Sequence, residues 1–165
     1  MNNNTRHTIS LLVNNKPGVL IRISLVFARR GYNLESVVVS PAHDPKFSQM
    51  NLVAMGDPET LHRIMKQLNK LVDVIHAKDY AMEETLQQEL ALIKVKFPAN
   101  KRTEILQIAE HFEATSIDLT ETTITFKATG DTEKLDAMLM LLEKFEVIET
   151  VRSGKIIIVK GEGET

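Results

Sequence analysis

The chain contains no cysteine. Disulfides, thiolate metal sites and a cysteine nucleophile are thereby excluded. Tryptophan is absent and aromatic residues are few. Neither charge dominates: 20 Lys and Arg stand against 22 Asp and Glu, a net charge of −2. Bulk electrostatics therefore give no attraction for nucleic acid. No apolar run approaches the ~18 residues of a membrane span. The start, Met1-Asn2-Asn3-Asn4-Thr5, is polar and lacks the apolar core of a signal peptide. A cytoplasmic location is expected, with no membrane and no nucleic-acid partner. The five histidines, His7, His43, His62, His76 and His111, form no HxH or HxxxH spacing, so no metal site is expected. No Walker loop, GxGxxG or Ser–His–Asp order stands at a strand–helix junction, and no catalytic residue is assigned.

What is present is an ordinary apolar fraction in 165 residues, enough for one large domain or two small ones. A chain near this size buries roughly 70% of its unfolded surface. Residues 7–14 alternate and are rich in Ile, Leu and Val, the pattern of a strand. Leu20, Ile23 and Phe27 share one helical face, and Gly31 follows as a stop. Residues 34–40 carry Val37-Val38-Val39, a strand, and 50–55 read as another after a loop at 41–47. Asp57-Pro58 opens a helix, cap first and Pro next. Its Leu61, Ile64, Met65 and Leu68 fall at i, i+3, i+4, i+7. Residues 72–77 close the unit as a strand.

The second half repeats this order. Residues 90–97 form a strand ended by Pro98. Ile105, Ile108, Ala109 and Phe112 again mark one helical face. Two Thr-rich strands at 116–120 and 123–128 are joined by a tight turn. Asp131 caps a helix whose apolar face is Leu135, Met138, Leu139 and Leu142. Residues 155–159 give a last strand, and 147–151 belong to it or lie beside it. Each half is a βαββαβ unit, so the class is α+β with two ferredoxin-like domains in tandem. The expected domains are 1–80 and 81–165, with the acidic, poorly periodic 80–87 as linker. Such a unit leaves one sheet face or edge free, which predicts a symmetric dimer.

One turn stands out. Asn14-Asn15-Lys16-Pro17-Gly18-Val19-Leu20 ends a strand and opens a helix, and Arg29-Arg30-Gly31-Tyr32-Asn33-Leu34-Glu35-Ser36 closes that helix and starts a strand. Backbone N–H groups at a helix start favour a carboxylate. Asn15 and Asn33 carry neutral polar groups suited to the charged ends of a free amino acid. The same Asn, Pro and Gly also build a plain capped turn for local backbone reasons.

"NKPGVL" followed by "RRGYNLES" resembles the ACT-type regulatory domain of the small subunit of acetolactate synthase (acetohydroxyacid synthase). "KQLNKLVDVI" at 66–75, "QELALIKV" at 88–95 and "KLDAMLMLLEKFEVIETVRSGKI" at 134–156 extend the resemblance from about residue 6 to about residue 161. Where that family commonly has "SRM", this chain has Ser48-Gln49-Met50. The basic Arg152-Ser153-Gly154-Lys155 stretch falls in a block typical of the family's second domain.

The resemblance implies a non-catalytic regulatory subunit. Its homodimer would activate a separate large subunit that carries thiamine diphosphate, Mg and FAD, with no cofactor in this chain. It would confer feedback inhibition by valine or a related branched-chain amino acid. The implied site lies between the first domains of two subunits. One supplies Asn15, Gly18, Val19 and Leu20; the other supplies Asn33, Leu34 and Val37. The rival is a free-standing ACT-type sensor acting on another enzyme or regulator, which would not need the second-half blocks.

Overall fold

A computed structural model describes residues 5–165; the polar start at 1–4 lies outside the described residues. The first six elements are β1 (Thr5–Asn14), α1 (Val19–Ala28), β2 (Asn33–Pro41), β3 (Phe47–Gly56), α2 (Pro58–Leu68) and β4 (Val74–Asp79). They make an antiparallel sheet in the order β2-β3-β1-β4. Alternation decides which side chains go inside. Ile9, Leu11 and Val13 of β1 and Met50, Leu52 and Ala54 of β3 are buried in one core. Ile23, Val26 and Phe27 of α1 and Leu61, Ile64 and Leu68 of α2 complete it.

The helix ends follow local chemistry. Asp57 accepts the Thr60 N–H at 2.8 Å, with Pro58 at the first helical position. α1 ends in a Schellman turn: Tyr32 N–H reaches the Phe27 carbonyl and Gly31 N–H the Ala28 carbonyl, with Gly31 at φ +67°.

The remaining elements are β5 (Thr85–Lys96), α3 (Arg102–His111), β6 (Thr115–Leu119), β7 (Thr123–Gly130), α4 (Thr132–Leu142), β8 (Glu146–Arg152) and β9 (Ile156–Val159). The second sheet runs β6-β7-β5-β8, and β9 also pairs with β5. Ala91, Ile93, Val95, Ile124 and Phe126 pack on Ile105, Ile108, Leu135, Met138 and Leu142 in a second core. Asp131 caps α4 by accepting the Lys134 N–H at 2.8 Å. Both halves therefore have the βαββαβ order, and the α+β class with two ferredoxin-like units holds.

Two details differ from the sequence reading. The strand that completes the second unit is β8, not 155–159. Compactness groups the chain into residues through Leu86 together with Lys155–Thr165, and a second unit at Gln87–Gly154. Residues 155–159 carry three consecutive Ile, the stronger strand signal, whereas β8 carries Glu146, Glu149 and Thr150 and is largely exposed. The expected linker at 80–87 also holds a single 3-10 turn, Met82–Glu84, and the first three residues of β5. β5 begins at Thr85, and its buried residues there are the polar Thr85, Gln87 and Glu89. Polar residues on a buried face hide an alternation that hydrophobicity alone would reveal.

Candidate effector-binding site

β1 ends at Asn14, and the turn to α1 is held from both sides. Asn14 N–H donates to the Asp73 carbonyl at 2.8 Å and Asn15 N–H to the Lys46 carbonyl at 2.8 Å. The Asn15 carboxamide donates to the Pro45 carbonyl at 3.0 Å. Its oxygen is left as an acceptor. Gly18 is the N-cap residue at φ +81°, a left-handed conformation that favours glycine. No side chain caps this helix start. Val19 N–H reaches the Lys16 carbonyl at 3.4 Å, while the Leu20 and Ile21 N–H groups lack an intrahelical partner by construction, the arrangement that suits an anion. No acidic residue occupies the first turn. Arg22, one turn further, places its guanidinium beside Gly18 and pairs with Asp73 at 2.6 Å. Sequence reading missed Arg22 and Asp73, since nothing in a linear spacing announces a pair that far apart.

The seven expected residues divide by exposure. Asn15, Leu20, Asn33 and Val37 are exposed, and Gly18 is half-exposed. Val19 is in the core, and Leu34 packs against it, so these two offer backbone more than side chain.

Within one chain the seven do not come together. Asn14 stands opposite Phe47, at one end of β3, while Asn33 stands opposite Met55, at the other. That separation along the strand is about 26 Å. Helix α1 connects the two ends, so Gly18 and Asn33 lie at its opposite termini.

Among the described residues β2 is the edge of this sheet and pairs with β3 alone. Val37 and Val39 of β2 are 41% and 45% exposed, as are Leu20, Ile21 and Leu25 of α1 at 46%, 66% and 44%. A helix apolar on more than one face is one that packs on more than one side.

Comparison with known proteins decides the family. Residues 9–76 match the model described as the AHAS small subunit-like ACT domain, and residues 88–161 match the model for the small subunit of acetolactate synthase. A probable acetolactate synthase small subunit of Methanothermobacter thermautotrophicus is 40% identical over 94% of this chain and 93% of its own. The acetolactate synthase small subunit of Mycolicibacterium smegmatis is 39% identical over 98% and 95%.

This chain belongs to the acetolactate synthase small-subunit family.

The crystal structure of the acetolactate synthase small subunit from Thermotoga maritima superposes with a TM-score of 0.85 at 34% identity, covering 96% of this chain and 99% of that one. As a member of this ACT-type regulatory family, the chain is a small subunit of an enzyme of amino-acid biosynthesis, which implies a catalytic large-subunit partner. Among the described residues, no group of three or more His, Asp and Glu is placed to hold a metal ion, and no helix is long and apolar enough to cross a membrane.

Proposed function

We propose that this chain activates the thiamine-diphosphate-dependent large subunit of acetolactate synthase and makes it sensitive to valine or a related branched-chain amino acid. The separation of the Gly18 turn from Asn33 along β3 carries this reading. A site using both must draw them from two chains. An antiparallel pairing of two β2 edges about a two-fold axis supplies that geometry. Asn33 of the partner subunit would then fall beside Pro41, which lies opposite Ser48 at the Asn14 end of β3. The apolar edge residues and the outer face of α1 would be covered in the same step.

In that arrangement the first-turn N–H groups of α1 take the carboxylate. The Asn15 oxygen and Asn33 take the ammonium and remaining polar contacts, and Val37 and Leu20 receive the apolar side chain. Inhibition follows if valine binds the less activating arrangement of the two subunits more tightly. The catalytic cofactors belong to the large subunit.

The rival, a free-standing sensor of another enzyme, is disfavoured by the full-length relatedness to small subunits, second unit included. The deciding experiment measures acetolactate formation by the cognate large subunit, with and without this chain, across a valine titration. Activation reversed by valine is the expected result. Absence of activation would sink the reading.

A further inference from the structure

The second unit contains a cavity of about 570 Å³, bounded by the end of β5, the start of α3 and the α4–β8 turn. Its residues all fall within 87–154 and none belongs to the effector site above. The volume is within the range of small-molecule pockets, roughly 300–1,000 Å³. Phe97, Pro98 and Phe145 give it apolar walls, while Lys96, Lys101 and Lys144 bring three ammonium groups to it.

Two carboxylates share the same cavity. Glu104 accepts from Lys101 at 2.9 Å and from Lys144 at 2.6 Å, and Lys96 pairs with Glu146 at 3.2 Å. Three positive charges against two negative ones leave the lining net positive. Glu104 draws two lysines from different elements to one point, yet each ammonium has three donors and spends one here. These pairs are half-exposed, so they add little to folding stability. Their value lies in placing spare N–H donors next to aromatic walls.

We propose that this cavity is a second small-molecule site, taking a monocarboxylate with a short apolar body and no ammonium group. The carboxylate would bridge Lys101 and Lys144, and the body would lie against Phe97 and Phe145. An α-amino acid of the same shape carries an ammonium into a lining that is already positive, so it binds less well.

The pair 4-methyl-2-oxopentanoate and leucine tests this, because both have the same side chain and differ at the ammonium carbon. Each is titrated into the full-length ¹⁵N-labelled chain, with amide shifts as readout. The oxo acid should give saturable shifts at 96, 97, 99–101, 122 and 144–146, at about tenfold lower concentration than leucine does there. The K101Q/K144Q variant should weaken oxo-acid binding by about tenfold or more, with the rest of the spectrum unchanged. F145A provides a second variant that removes an apolar wall and leaves the charges intact, and it should weaken binding as well. No saturable shift at the cavity, equal or tighter binding of leucine there, or unaltered affinity in both variants would overturn the proposal. The assay reads the second unit directly, so its outcome is separate from whether valine regulates the enzyme.

Discussion

Arg22 and Asp73 meet at 2.6 Å although 51 positions separate them. Asp73 also accepts the Asn14 N–H through its carbonyl, and Arg22 N–H donates to the Gly18 carbonyl. A Cβ at Gly18 would stand 3.2 Å from the Arg22 guanidinium. One ion pair thus fixes the start of α1 against the turn between α2 and β4. Arg22→Gln should keep the fold, since Arg22 is half-exposed and not part of the apolar core. It should loosen the turn that offers N–H groups to the effector. The valine concentration for half-inhibition should rise by about three- to tenfold. An unchanged valine response in the assembled enzyme would show that the pair is only structural.

Asn33→Ala removes a polar group from an exposed position on the edge strand. Loss of a hydrogen bond to a charged group should weaken valine binding by about ten- to a hundredfold. Assembly should survive, because Asn33 contributes no apolar area. Titration calorimetry on the isolated subunit gives the affinity, and sedimentation equilibrium gives the assembly state.

Val39→Lys places a charge on the free β2 edge, at a position opposite Met50 and outside the proposed ligand contacts. Charged edge residues block strand pairing between chains. The homodimer should dissociate at protein concentrations where the parent chain remains paired, and valine binding should fall with it. A dimer of unchanged affinity would place the interface elsewhere.

Gly56→Ala tests the first core. An added Cβ would lie 2.0 Å from the Tyr32 ring, whose hydroxyl donates to the Asp57 carbonyl. Tyr32 is buried in the first core. Overpacking of this kind costs about 1–3 kcal/mol. The expected readout is a lower urea midpoint with an unchanged slope.

Glu104 should give the chain a small acid-dependent stability, small because its carboxylate and both lysines are screened by solvent. Hydrogen bonds from Lys144 and then Lys101 hold its carboxyl at about 2, against an ordinary 4.5. A depressed folded-state value means that the stabilisation is fully present above pH ~4.5 and is lost as pH falls toward ~2. The urea midpoint of the parent chain should therefore drop over that window more steeply than that of Glu104→Gln. Parallel curves would remove Glu104 from the account.

The α+β class and the order of elements were readable because each element carries its own period. β1 alternates, α2 repeats at i, i+3, i+4, i+7, and Asp57-Pro58 and Asp131 mark helix starts by a hydrogen bond made within three residues. The turn at Gly18 was readable for the same local reason. The start of β5 was not, because Thr85, Gln87 and Glu89 are polar yet buried, and Glu89 meets its partners Thr132 and Arg152 only through folding. The Arg152 stretch was also opaque. Only folding brings Arg152 to 2.8 Å from Glu89 and 2.5 Å from Asp136, tying β8 to β5 and α4.

By itself, the sequence determined the elements, the two-unit plan, the family resemblance and the residues worth testing, since these depend on neighbours a few positions away. Tertiary structure alone decided that β8 completes the second sheet, that Arg22 clasps Asp73, and that Lys96, Lys101 and Lys144, from three parts of the chain, share one cavity. It also decided that Gly18 and Asn33 stand at opposite ends of β3 in any one chain. Those are matters of register and packing between residues far apart in the chain, and no local period encodes them.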